Sequence, residues 1–260
     1  ATFDSNNNKV VIAYTDAGNS NHGAAVVGTV SGTSISFGSE TVFENSSTSN
    51  KEAVFDAANG AIVIAYRNDG NSDHGTAVVG TVSGTSISFG TPVVFEAAAV
   101  VSNTPSAAYD SSNEKVVIAY GDQGNSNYGT AIVGTVSGTS ISFGSPVIFE
   151  SANIGAAVAV YDSSASKVVI AYQDNGNSSY GTLIVGTVSG TSISFGSATV
   201  FESGYTDLMT GAYDSANERV VIAHRDGGNS NYGTAIVFQN EGTNLTAENF
   251  IGISDAAYAD

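Results

Sequence analysis

An all-β fold built from five like units is predicted by three observations. Glycine is plentiful (30 residues), proline scarce (3), and Val, Ile, Thr, Ser and aromatic residues fill the intervals, a composition of short strands joined by tight turns. The stretch GTVSGTSISFG recurs verbatim at Gly28–Gly38, Gly80–Gly90, Gly134–Gly144 and Gly186–Gly196, so its first glycine steps by 52, 54 and 52 residues. Two other markers keep that period and add a fifth copy. An aromatic followed by Asp falls at Phe3-Asp4, Phe55-Asp56, Tyr109-Asp110, Tyr161-Asp162 and Tyr213-Asp214, and Gly-Asn-Ser begins at Gly18, Gly70, Gly124, Gly176 and Gly228.

Each unit reads as four strands. In the third, strand a is Pro105–Asp110, b is Lys115–Tyr120, c is Tyr128–Val136, and d runs from Thr139 to Glu150 with a bulge near Gly144. The turn signals SSNE, DQGNSN and SG separate them. VVIAY in strand b is apolar throughout, as expected of a strand buried on both faces. SISF in strand d alternates, as expected of a half-exposed outer strand whose Ile and Phe meet a neighbour. Sheets with covered middles and wet outer edges, four strands each and five in number, predict a five-bladed β-propeller of four-stranded antiparallel blades. The chain is then a single propeller over residues 1–260, with repeats at about 1–50, 51–104, 105–156, 157–208 and 209–260. A β-helix coil is much shorter than this period, and five separate beads would each be marginal. The fifth unit lacks the eleven-residue stretch. Either Phe250–Ser254 supplies its outer strand, or Ala1–Asp4 and the tail share one blade in a clasp.

Composition excludes several partners. The net charge is −17, from 24 acids against 7 bases, which opposes nucleic acid and anionic membrane, both of which call for clustered Lys and Arg. No run approaches the roughly 18 apolar residues of a membrane helix, so no membrane insertion is expected. No basic segment followed by an apolar one reads as a secretory leader. Cysteine is absent, so thiolate and disulfide chemistry are closed to this sequence.

Alternating strand direction sends the b–c and d–a loops to one rim and the a–b and c–d turns to the other. The second rim is monotonous (DSNNNK, DAANGA, DSSNEK, DSSASK, DSANER), whereas the d–a loops of the first diverge (NSSTSNKE, AAAVVSNTP, SANIG, SGYTD). Positions that drift from a shared template are ones the fold does not dictate, so recognition belongs on the first rim. Its candidates are Arg67 and Arg225 for acidic groups, and His22, His74, Tyr128, Tyr180 and Tyr232 to stack on a sugar face. Asn19, Asn71, Asn125, Asn177 and Asn229 complete the set as partners for hydroxyls. The same loops have a plainer reading, in which Asp and Asn bond the backbone two residues on and Gly supplies the turn. Calcium is the cofactor these loops bring to mind, but alternating acids ending in a bidentate Glu are missing, so no cofactor is assigned. Three histidines at two kinds of position make no zinc site. Catalysis by paired carboxylates would draw on Glu52 and Asp207 of strand a, with small residues in the other units, and no catalytic residue is assigned.

The unit KVVIAYxDxGNSxYGTAIVGTVSGTSISFG, as at Lys115–Gly144, resembles tandem repeats of marine phage virion and tail-fibre-type proteins and of marine bacterial surface proteins. The tail NLTAENFIGISDAAYAD (Asn244–Asp260) is similar to a segment that follows such repeats in phage structural proteins. The resemblance implies an extracellular or virion setting and adhesion. The expected function is a lectin-like, multivalent module that meets a surface glycan or host receptor. The rival is a stiff spacer docked to other virion or fibre subunits, with the loop Ala97–Asn103 as its apolar patch.

Overall fold

The computed structural model of the chain describes residues 1–240 and 250–253. Among these, regular structure is β apart from short 3₁₀ turns such as Ala17–Asn19 and Gln123–Asn125. The third unit has strands Ser106–Asp110, Lys115–Asp122 and Tyr128–Ser137, then Ser140–Phe143 and Val147–Asp162. Strand a thus begins one residue later than expected, because Pro105 has no N–H to give the ladder. Strands d and a are otherwise one continuous element. Thr41–Asp56, Val147–Asp162 and Thr199–Asp214 each run 16 residues, pairing first with strand c of their own unit and then with strand b of the next.

This continuity makes two antiparallel sheets, of nine and twelve strands, where separate four-stranded sheets were expected. Neither is closed. They part between Val93–Ala99 and Ser106–Asp110, where the Val100–Asp122 bridge and a 2.9 Å bond from Val101 N–H to the Gly121 carbonyl are the backbone links among the described residues. At the ends, Phe250–Ile253 pairs with Tyr232–Phe238, while Thr2–Asp4 pairs with Lys9–Asp16. Among the described residues each terminal strand pairs within its own unit and not with the other; Ser254 and the rest of the tail lie outside them.

The apolar core is divided into four clusters, one at each junction between consecutive units. Strand b shows why VVIAY is apolar throughout: Val116, Ile118 and Tyr120 face the second unit, and Val117 and Ala119 face the fourth. Ile87, Ile141 and Ile193 of the SISF strands fill the same junctions at 4%, 5% and 3% exposure. Burying a side chain of this size contributes about 1.5–3 kcal/mol. The first unit's corresponding face has no preceding neighbour, and there Phe3, Val30, Ile35 and Phe37 stand 53%, 56%, 43% and 51% exposed.

A buried hydrogen bond also crosses the junctions. Tyr66, Tyr120 and Tyr172 at the end of strand b donate to Glu44, Glu96 and Glu150 of the preceding unit at 2.9, 3.1 and 2.9 Å. Burial, and then the adjacent carboxylate, push these phenols well above their ordinary pKa. Tyr14, with no preceding unit, turns to Glu40 of its own. In the fifth unit His224 takes the tyrosine's place. It packs edge-on to Phe201 and is only 3% exposed, and neither ring nitrogen has a partner.

The last glycine of the repeated stretch has a distinct task. A Cβ on Gly38, Gly90 or Gly144 would overlap the carbonyl oxygen of Thr85, Thr139 or Thr191 in the c–d turn of the next unit. Only a residue without a side chain admits that approach. Among the described residues Gly196 meets no such turn, its nearest neighbour there being the Val185 carbonyl at 3.9 Å.

Two outcomes follow from these contacts. Gly144→Ala should lower stability by about 1–3 kcal/mol, the usual cost of overpacking, while Gly196→Ala, in an identical sequence context, should leave the urea midpoint nearly unchanged; equal effects would show that the close approach does not constrain the fold. Burial holds the His224 pKa below its ordinary 6.5, with Glu202 and Asp226 acting in the opposite direction. The unfolded chain therefore takes up this proton first, and stability should fall as pH drops below 6.5. His224→Tyr should remove that part of the pH dependence and add about 1 kcal/mol by restoring the bond to Glu202; parallel stability–pH curves for the two proteins would refute this role.

Candidate functional site

The b–c loops owe their shape to the residue that ends strand b. Asp122, Asp174 and Asp226 accept the backbone N–H of Asn125, Asn177 and Asn229 at 3.2, 3.1 and 3.0 Å, and Asp16 accepts that of Gly18 at 2.9 Å. Two left-handed residues follow in each loop, such as Ser126 and Asn127 (φ 56° and 61°), and turn the chain into strand c. In the second unit Asn68 takes the Asp position and bonds Glu44 and Ser46 instead. Burial, then Glu96, raises the Asp122 carboxyl above its ordinary value, opposed by the turn's own N–H groups.

His22, His74, Tyr128, Tyr180 and Tyr232 open strand c, each paired in register with that Asp or Asn. The first four are half-buried and Tyr232 is exposed. Asn19, Asn71, Asn177 and Asn229 are exposed beside them, and Asn125 is half-buried. Asn71 Nδ2 lies 3.3 Å from His74 Nδ1. Each unit therefore carries one ring and one amide on the same turn, and in the second unit the two side chains meet. Among the described residues no hydrogen bond, ion pair or ring contact joins these groups between units.

Both arginines are already paired. Arg67 meets Asp69 at 3.2 Å and Asp73 at 2.5 Å, and Arg225 meets Asp207 through two parallel bonds. These pairs tie each arginine to the loop or strand beside it. The loop Ala97–Asn103 is not an open apolar patch either: Val100 is fully buried in a junction core, and Val101 packs over Gly121. Among the described residues no three His, Asp or Glu side chains gather in a metal-holding group.

The d–a segments build a different feature on the same rim. A cavity of about 360 Å³ opens where strand a of four units meets, lined by Asn50, Lys51 and Glu52 of the second, Asn103, Pro105 and Ser106 of the third, Ala156–Val158 of the fourth and Leu208–Thr210 of the fifth. Bulges deliver three of these walls, the register slipping between Ser49 and Glu52, Ile154 and Ala157, and Asp207 and Thr210. Asn50, Asn103 and Leu208 take left-handed φ values of 44°, 66° and 48°. Polar groups come mainly from the second and third units, and apolar ones from the fourth and fifth.

Its charges are unevenly committed. Lys51 Nζ donates to Thr15 Oγ1 and, at 3.3 Å, to the Thr48 carbonyl, so the ammonium is held between the first two units. Burial lowers its pKa, with Asp69 opposing. Glu52 has no hydrogen bond or ion pair to another side chain among the described residues. Burial raises its carboxyl pKa, and the N-terminal ammonium and the Ala53 N–H act against the rise.

Sequence reasoning named Glu52 but missed the cavity. The available signal was the comparison of copies: Asn50-Lys51-Glu52 stands where other units have Ala156-Ala157-Val158 and Leu208-Met209-Thr210. No known protein-family model matches the chain, and no curated protein matches it.

Leu208 is 67% exposed in a left-handed conformation that costs a branched side chain about 1–2 kcal/mol. Leu208→Gly should therefore leave stability unchanged or raise it by up to about 1 kcal/mol. A clear drop in the denaturation midpoint would mean that the side chain earns its place by packing.

Proposed function

We propose that the chain is a five-bladed β-propeller serving as a non-enzymatic recognition and adhesion module, binding cell-surface glycans in a virion or extracellular protein. Five repeated units, four equivalent junctions and a cavity lined by successive copies of strand a support the propeller reading. In that arrangement the seam lies between the exposed apolar face of the first blade and the half-buried Val221, Ala223, Ala235 and Val237 of the fifth.

The observation that carries the function is a ring and an amide repeated once per unit on the same turn, which an Asp caps in four of the five units. An aromatic or imidazole face beside a carboxamide matches the two faces of a pyranose, whose C–H groups stack while its hydroxyls bond. One such pair is weak, but five on one rigid rim act together on a surface that displays many copies of a sugar. A non-catalytic reading is supported at the cavity, where Glu52 is the one carboxylate in the lining among the described residues and Asp207 is bound to Arg225. Glycoside hydrolysis generally uses two carboxyl groups across the scissile bond.

Glycan-array binding of the whole chain tests this. Reproducible hits should weaken by about tenfold or more in Tyr128→Ala/Tyr180→Ala, since each lost ring removes a contact whose effect multivalency compounds. Unchanged hits would remove the stacking role, and a blank array, with calcium and with EDTA alike, would reject the glycan reading in favour of a structural spacer.

A further inference from the structure

Two departures from the repeat template converge on the axial cavity, and neither serves the fold. Glu52 occupies a position filled by Ser106, Val158 and Thr210 in the other units, so a carboxylate is not needed there to build strand a. It is half-buried, and no side chain bonds or pairs with it among the described residues, only the N-terminal ammonium and the Ala53 N–H acting on it. Leu208 stands where the other copies have Asn50 and Ala156, holds a left-handed backbone and exposes most of its side chain over the cavity. Strained backbone with no packing return collects at binding sites.

We propose that the axial cavity binds a primary alkylammonium group, its charged head on Glu52 and its hydrocarbon chain along Pro105, Val158, Leu208 and Met209. The lining matches that shape of ligand. Its carboxylate has no side-chain partner among the described residues, the N-terminal ammonium and the Ala53 N–H being the groups that act on it, while Lys51, the one cation in the wall among the described residues, is turned toward Thr15 and Thr48. Ser106 Oγ accepts the Ala159 N–H at 3.0 Å, and Asn50 and Asn103 line the same wall, adding polar groups for an ammonium. An ammonium on Glu52 would compensate a charge that burial disfavours. The net charge of −17 draws cations to the surface and raises their local concentration at a cleft. The chemistry is shared by a free aliphatic amine and by a lysine side chain on a partner, and it lies apart from the rim rings, so it does not depend on glycan binding.

The single methionine makes the test direct, because Met209 lines the cavity and a ¹³C-methyl label gives one NMR signal from it. Titration with n-butylammonium chloride should shift that signal saturably, whereas n-butanol and sodium chloride should not. Glu52→Gln, nearly isosteric, should weaken the effect about tenfold or more, and a dispersed spectrum confirms that the variant is folded. Binding in the parent protein should also fade as acid protonates Glu52, a readout that needs no variant. A short lysine peptide compared with its Nε-acetylated form separates the two sources: response to the peptide alone assigns a protein partner, and response to the amine alone assigns a small molecule. A flat titration with both, an equal response to butanol, or full binding by Glu52→Gln would overturn the proposal.

Discussion

The close seating of one unit's glycine on the next unit's threonine carbonyl sets a separation that the other contacts inherit. At that distance Ile87 and its counterparts reach the facing strand b, Phe43 lies 5.2 Å from Tyr66, and the Tyr66 hydroxyl reaches Glu44. Interiors packed this tightly do not stretch to admit a methyl group at one point without disturbing neighbouring contacts. Repeating one junction also makes stability a sum over neighbours, as in other linear repeat arrays. The fifth unit departs from the rule, with His224 in place of tyrosine and no copy of the glycine-rich stretch, and its strand b alternates between buried and half-buried residues.

Much of this was legible in the sequence because it is local. VVIAY announced burial on two faces, and the observed division of Val116, Ile118 and Tyr120 from Val117 and Ala119 is what a period of two requires. Asp110 was readable as a turn former, and it accepts the backbone N–H groups of Ser112 and Asn113 at 3.0 Å each. The pairing of Tyr120 with Glu96 was not legible, since the two are 24 residues apart and meet only across a junction. The fate of Arg225 was obscured by one bulge. Counting back along the hairpin from Asp214 opposite Arg219 puts Asp207 one residue out of register, and only the extra residue in the strand brings the two together.

The axial cavity was hidden for a different reason. Four strands remote in sequence contribute to it, and no spacing rule places Glu52 near Leu208. What the sequence did hold was contrast: verbatim copies in the framework, drift in the d–a segments. Drift alone does not separate tolerance from use. Backbone strain at an exposed Leu208 and a half-buried carboxylate at Glu52 without a side-chain partner among the described residues supply that distinction, because relaxed drift removes such costs instead of keeping them.

The 16-residue strands that belong to two units at once tie the number of copies to the cavity. A further 52-residue period could be inserted between any two units, and it would bring a complete junction of the same kind with it. The framework would gain apolar contact by the change. The segments that meet around the cavity would have to admit another between them, however, drawing Glu52 away from Leu208 and opening the space between them. Lengthening by duplication is therefore easy for the junctions of this architecture and costly for the cavity, whose dimensions act as a gauge of how many copies the gene keeps.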